Sequence, residues 1–262
     1  MIPRVMSVAS TDSGGGAGIM ADLKTFTALK VFGTAVIVTL TAQNSVSVKS
    51  IYELPLKFID DQFDEILDDI GTDAAKTGML YSSDIINEVA NKFIQYDVKN
   101  IVIDPVMISK TNVRLLKEDA IDAMVNKLMK ISYLITPNMP EAEVISKTKI
   151  KNYNDMKNAA KIIYNNISTN VLIKGGHYNS YFSSDILYDG DEFYEFKMKR
   201  VDTKNTHGTG DTLSSAITSY LANGKKLCEA IKLSRGYIEG AIKNSFPMGK
   251  GYGPLNHFWV IK

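Results

Sequence analysis

The stretch Thr206-His207-Gly208-Thr209-Gly210-Asp211-Thr212 sets a carboxylate among glycines and hydroxyls just ahead of good helix formers. Apolar residues at 213, 216, 217, 220 and 221 have helical spacing, so a helix should begin near Gly208 to Asp211. Its first N–H groups lack carbonyl partners and can face an anion. Gly208 and Gly210 let the backbone approach a phosphate with no Cβ in the way, and Asp211 can take the proton of an attacking hydroxyl. That is a phosphoryl-transfer layout. The same residue types also make an ordinary capped helix.

Further polar groups follow apolar strand-like runs, where ligands bind in parallel sheets. After the first run comes Ser10-Thr11-Asp12-Ser13-Gly14-Gly15-Gly16-Ala17-Gly18, a loop poor in side chains that leaves room for a ligand. The helix after it carries Asp22 and Lys24; Asp22 also suits a helix start through the macrodipole. Gly16 to Ala21 loosely matches a dinucleotide pattern, but the acidic residue expected roughly 20 positions later is missing. A Walker A loop is absent. In Thr41-Ala42-Gln43-Asn44 the Gln43 amide offers both a donor and an acceptor to a heterocycle edge, while Asn44 favours a turn. Met79, in Thr77-Gly78-Met79, can form an adaptable pocket wall or fill core.

Asp104-Pro105-Val106 and Thr136-Pro137-Asn138-Met139-Pro140-Glu141 close two more runs. Asp104, Asn138 and Glu141 are oxygen donors of the kind that hold hydrated Mg²⁺ near nucleotide phosphates. The prolines equally favour a turn and a helix start. Lys174, ahead of Gly175-Gly176-His177, places a cation at a strand tip where it can neutralise phosphate. His177, His207 and His257 lack metal-ligand spacing, so no zinc is expected and each reads as a packed or hydrogen-bonded residue. The loop Gly249-Lys250-Gly251-Tyr252-Gly253-Pro254 suits a place near nucleotide or a closing turn.

These groups need a frame that brings strand ends together. Apolar β-rich segments at Val5–Ala9, Ala35–Leu40, Ala74–Thr77, Ile101–Asp104, Tyr133–Thr136 and Val171–Lys174 alternate with helical patterns. The helices fall near Ile19–Leu29, Phe58–Ile70, Asp84–Tyr96, Ala120–Met129, Met156–Asn165, Gly210–Leu221 and Leu227–Lys243. The alternation predicts a doubly wound α/β domain, a mostly parallel sheet with helices on both faces. Residues Ser183 to Arg200 break the rhythm and read as an edge hairpin turning at Asp189-Gly190-Asp191. The 262 residues, 45% hydrophobic, fit one domain over 1–262.

Composition narrows the partners. Thirty basic against 29 acidic residues leave a net charge of +1, with no basic run interleaved with aromatics, so nucleic acid and anionic membrane are poor partners. No run of about 18 apolar residues exists, and Met1–Ala9 is too short for a secretory signal. The chain reads as cytoplasmic. Cys228, the single cysteine, excludes an intrachain disulfide and reads as a buried structural thiol.

The assembled motifs resemble the hydroxymethylpyrimidine and hydroxymethylpyrimidine-phosphate kinases of thiamine biosynthesis, in the ribokinase-like superfamily. The resemblance runs from Asp12–Gly18 and Ala21–Phe26 through Thr41–Asn44, Lys76–Leu80, Asp104–Met107, Ile135–Asn138, Pro140–Ala142, Lys174–His177 and Thr203–Gly210 to Gly253–Phe258. It implies a three-layer α/β/α fold, use of ATP and Mg²⁺, and a homodimer. By the same carry-over, Asp22 and Gln43 hold the aminopyrimidine, with Met79, Val106 and Ser10 around it. Lys174, Asn138, Asn205, Thr209 and Gly210 meet ATP; Glu141, Asn138 and Asp104 support the metal; Gly208, Thr209 and Gly210 form the anion hole. Two residues depart from the family pattern. Asp211 stands where Cys is usual and matches the base of sugar and nucleoside kinases; the helix start should keep it ionised. Ser10 stands where Gly is common and narrows the pocket. Both bear on substrate preference more than on reaction type. The alternatives are a pyridoxal kinase, whose substrate also carries a hydroxymethyl group on a nitrogen ring, and a non-catalytic sensor of a vitamin precursor.

Overall fold

The computed structural model describes residues 1–107, 115–117, 119–176 and 182–261. The apolar strand β1 (Arg4–Ala9) leads through the glycine-rich loop into α1 (Gly18–Ala28), and β2 (Phe32–Ile37) returns parallel to β1, Val5 opposite Gly33. β3 (Thr39–Gln43) and β4 (Val48–Glu53) form a separate antiparallel pair. The chain continues through α2 (Leu56–Glu65), β5 (Ala74–Thr77), α3 (Ser83–Gln95), β6 (Ile101–Ile103), α4 (Ala120–Ala123) and β7 (Leu134–Ile135). Then come α5 (Met139–Ser146), α6 (Tyr153–Ile167), β8 (Asn170–Ile173), β9 (Phe182–Tyr188), β10 (Phe193–Lys199), α7 (Thr209–Ala222) and α8 (Leu227–Lys243). Helices α2 and α4 run on into wider π turns at Ile66–Ile70 and Met124–Leu128.

The main sheet has the order β10-β9-β8-β7-β6-β5-β1-β2, parallel from β8 to β2 and antiparallel at the β8–β9–β10 edge. Side chains alternate between its faces, as strand geometry requires. Met6, Val8, Ile101 and Ile103 pack toward α2, α3 and α6, while Val102, Leu134 and Leu172 pack toward α7 and α8. The result is the expected three-layer α/β/α fold. Strands apolar on both faces are the reason the sequence shows runs rather than alternation. The edge hairpin forms as expected, its turn closed by Asp189 Oδ1, which accepts from the N–H groups of Asp191 at 3.0 Å and Glu192 at 2.9 Å.

Two features differ from the sequence expectation. The single strand expected at Ala35–Leu40 divides at Val38: β2 stays in the main sheet and β3 leaves to pair with β4. Val38 donates to Ala9 O and accepts from Leu54 N, so the chain changes partner without losing a hydrogen bond, and an apolar run carries no mark of such a change. α5 was expected only as a turn and helix start. It forms because Asn138 and Glu141 make a reciprocal capping box: Asn138 Oδ1 accepts from Glu141 N (2.9 Å) and Glu141 Oε2 from Asn138 N (2.7 Å). Cys228 is half-buried on α8, its thiol pushed up by burial.

After β1 the chain builds β2 on one side and later β5 on the other, so a crevice opens beyond the carboxyl ends of β1 and β5. Every parallel strand ends on that rim, bringing Ser10, Gly78, Asp104, Asn138 and Lys174 together from distant parts of the chain.

Candidate active site

Two adjoining cavities occupy the rim. The smaller, about 150 Å³, is lined by Ser10, Asp12, Gln43, Met79, Asp104, Val106, Leu115, Glu141, His207 and Asp211 among others. The larger, about 380 Å³, has an apolar wall of Met198, Val201, Leu213, Ile238 and Ile242, with Asp185 and Arg235 at its base. Asn138, Lys174, Thr209 and Gly210 line both. A group bridging the cavities therefore passes the start of α7.

That helix start has a specific geometry. Gly208, its N-cap, has φ +79°, and a Cβ there would lie 1.8 Å from Gly16 O, so only glycine lets α7 approach the loop after β1. The N–H groups of Gly210 and Asp211 open the helix and have no earlier helical carbonyl to bond. Burial pushes the Asp211 carboxyl up to about 6, opposed first by Lys76, with Asp22 and Asp104 adding to the rise. The helix start was expected to keep this group ionised, and it is charged at neutral pH, yet burial leaves it close to accepting a proton.

Beneath Asp211 lies a buried charge cluster. Lys76 Nζ donates to both Asp22 oxygens at 2.9 and 3.0 Å and lies 3.8 Å from Asp211 Oδ1. Asp22 also accepts from Ser7 Oγ and Ser215 Oγ, both at 2.6 Å. Burial lowers the Lys76 ammonium, but Asp22 and Asp211 outweigh it and hold the group above its ordinary value. The sequence reading put Asp22 on the substrate; the structure seals it at 0% exposure, off the cavity wall, because its place on α1 turns it inward onto β1, β5 and α7.

Lys174 Nζ bonds Asp104 Oδ1 at 2.6 Å, and Asp104 and Glu141 keep this buried ammonium charged. The expected phosphate cation and one expected metal ligand are thus an ion pair at the junction of the cavities. Burial pushes Glu141 up to about 7, opposed by Lys174. Asn205, expected at the nucleotide, lines neither cavity; its amide oxygen packs where a Cβ on Gly253 would lie, 2.1 Å away. Ser10, Met79, Val106, Gly208, Thr209 and Gly210 all line the smaller cavity. His177 lies outside the described residues.

Several site residues escaped the sequence reading. Asp12 accepts from the N–H groups of Gly14 (2.8 Å), Gly16 (3.1 Å) and Ala17 (2.9 Å), and its Oδ2 lies 2.9 Å from His207 Nε2. Burial works against its charge, but His207 and those amides hold it below the usual carboxylate range. Lys76 had a readable signal, a lysine inside an apolar strand. The Asp185–Arg235 pair, 2.5 Å apart, had none, since a strand and a helix 50 residues away supply it.

The sequence pattern of the phosphomethylpyrimidine kinase family matches residues 12–256. The chain is 39% identical to the hydroxymethylpyrimidine/phosphomethylpyrimidine kinase of Bacillus subtilis, over 98% of this chain and 95% of that protein. It is 45% identical to the thiamine biosynthesis bifunctional protein ThiED of Geobacter sulfurreducens, over 97% of this chain, which spans 52% of that longer protein. In three dimensions it is similar to Bacillus subtilis pyridoxal kinase, solved as an ADP complex, with TM-score 0.91, 37% identity and 98% of each chain covered.

Proposed function

The chain belongs to the phosphomethylpyrimidine kinase family, and we propose that it transfers the γ-phosphoryl group of ATP to 4-amino-5-hydroxymethyl-2-methylpyrimidine and then to its monophosphate, in thiamine biosynthesis. The observation that carries this reading is the junction of the cavities: Asp211 and the α7 start stand between a small chamber lined by several carboxyl groups and a larger one with an aliphatic wall. In the reading, the pyrimidine occupies the small chamber with Gln43 at its edge and Met79 and Val106 on its walls. The adenosine lies against Val201, Leu213 and Ile238.

Asp211 accepts the hydroxymethyl proton as the new O–P bond forms and the bond to the β-phosphate oxygen breaks, releasing ADP. The Gly210 and Asp211 N–H groups face the negative charge of the transferring phosphoryl, and Lys174 lies on the same path. These charges are held in place by the fold before the substrates arrive, so little reorganisation accompanies transfer.

Mg²⁺ fits the residues present. Among the described residues no cluster of three His, Cys, Asp or Glu side chains could cage a metal. Glu141 and Asp104 with the Asn138 amide instead suit an ion that keeps most of its water and binds through the nucleotide. The burial of Glu141, relieved only in part by Lys174 and backbone N–H groups, marks a carboxylate that a further cation would stabilise. Bound there, Mg²⁺ would neutralise phosphate oxygens. The reading includes one kinase domain over 1–262, acting as a homodimer in the cytoplasm; the family match over 12–256 is in keeping with one domain, and among the described residues no helix is long and apolar enough to cross a membrane.

Pyridoxal phosphorylation is the second reading, favoured by the similarity to a pyridoxal kinase. Mass spectrometry of products after incubation with Mg-ATP and each substrate separates the two. Pyrimidine mono- and diphosphate are expected; pyridoxal phosphate alone overturns the first reading in favour of the second.

A further inference from the structure

Asp12, His207 and Gln43 meet at the mouth of the smaller cavity, and their hydrogens can be assigned from chemistry. The Asp12 carboxylate is 2% exposed and saturated by loop amides, so toward His207 it can only accept. His207 Nε2, 2.9 Å from Asp12 Oδ2, therefore carries a hydrogen whether the ring is neutral or charged. The same Nε2 lies 3.4 Å from one terminal atom of the Gln43 amide. A nitrogen at that amide corner would set donor against donor.

The other corner of the amide is constrained independently. It lies 3.4 Å from Thr41 Oγ1, whose single hydrogen goes to the nearer Thr11 O at 2.9 Å. Thr41 thus has only lone pairs to offer, and an amide oxygen there would set acceptor against acceptor. The amide oxygen and nitrogen exchange places by a half-turn. Only the setting with the oxygen toward the positive N–H edge of His207, whose hydrogen the nearer Asp12 holds, and the nitrogen toward the Thr41 lone pairs avoids a like-to-like contact at both corners.

We propose that the Asp12–His207 pair is a positioning unit that locks the Gln43 amide in this setting and so determines which ring the enzyme prefers. The locked amide leaves an N–H and oxygen lone pairs, in fixed order, for a ring with an acceptor and a donor side by side, as an aminopyrimidine has. A ring lacking that adjacent pair leaves part of the amide unsatisfied. The inference rests on the reading of Gln43 as the ring contact.

The test compares kcat/KM for hydroxymethylpyrimidine and pyridoxal in His207→Phe, His207→Gln, Gln43→Met and the His207→Phe/Gln43→Met double variant. Phe keeps a flat ring against Gly16, where a Cβ would come within 2.5 Å of the His207 ring, and drops the donor. Gln restores an N–H at the reach of Nε2. His207→Phe is expected to reduce the pyrimidine preference by roughly 10- to 100-fold, the size of an unpaired buried polar group. His207→Gln should restore most of it, and the double variant should shift preference no further than Gln43→Met. If Gln43→Met shifts preference and His207→Phe does not, the positioning role is overturned while the Gln43 reading stands. An unchanged preference in Gln43→Met overturns both. Since His207→Phe can fail to fold, ¹⁵N-histidine NMR of the unaltered protein is a second test, with His207→Gln identifying the resonance. A protonated Nε2 at neutral and mildly alkaline pH is expected, and a bare Nε2 overturns the proposal.

Discussion

The two cavities differ in which charges line them and in how those charges are paired. In the smaller, Asp12, Asp104, Glu141 and Asp211 stand among a few buried cations, and several carboxyl groups depart from their ordinary affinity for protons. In the larger, one wall is aliphatic, and Asp185 and Arg235, although burial pushes the Asp185 carboxyl up here too, are joined to each other and to backbone at Gly175, Ser183 and Phe196. Carboxyl groups gathered at the α7 start mark where bonds change and protons move; a paired ion and an aliphatic wall suffice where a group is only held. Removing groups from the first chamber should alter rate and pH dependence, and removing them from the second should alter binding alone.

The sharpest test is Asp211→Asn. A positioned base contributes roughly 100- to 10,000-fold, so turnover should fall in that range with ATP binding retained. In the unaltered enzyme kcat/KM should drop as pH falls through about 6, where Asp211 takes up its proton. The residual activity of the Asn variant should lack that limb; an unaltered limb would assign it to another group.

Lys76→Met probes the same chamber from below. The fully buried Asp22 would lose its cation, and breaking a buried pair costs about 3–5 kcal/mol, measurable as a lower denaturant midpoint. The sign of the kinetic effect is also determined. Lys76 favours the charged form of Asp211, so its loss raises that pKa and moves the acidic limb to higher pH. A limb that stays in place would show that Lys76 serves stability alone.

In the larger chamber, Val201→Ala removes aliphatic wall worth about 0.8 kcal/mol per methylene equivalent. KM for ATP should rise several-fold, with kcat unchanged; a fall in kcat would contradict the division between the chambers. The smallest effect is expected from Glu141→Gln, since glutamine also closes a capping box. Stability should change by about 1 kcal/mol or less while the Mg²⁺ concentration for half-maximal rate rises. An unchanged Mg²⁺ dependence would reduce Glu141 to a helix cap.

Much of this comparison was written in local sequence. The spacing after Gly208 announced α7, the apolar runs announced the parallel sheet, and Asp-Gly-Asp announced the edge hairpin, because each depends on neighbours in the chain. Ser10, Gln43, Met79, Asp104 and Lys174 were legible as rim residues because strand ends can be read from where apolar runs stop. The split at Val38 was not, since both halves are strand-like and differ only in which strand they meet.

Sequence by itself thus determined the layered fold, the anion-facing helix start and the chemical types around it, all consequences of periodicity and local backbone preference. Only the tertiary structure decided which charges meet. It turned Asp22 inward onto Lys76, set Asp12 against His207 across 195 positions, and raised Asp211 by burial. Proton affinity and hydrogen-bond direction depend on distance and dielectric between residues far apart in the chain, and no local pattern encodes either.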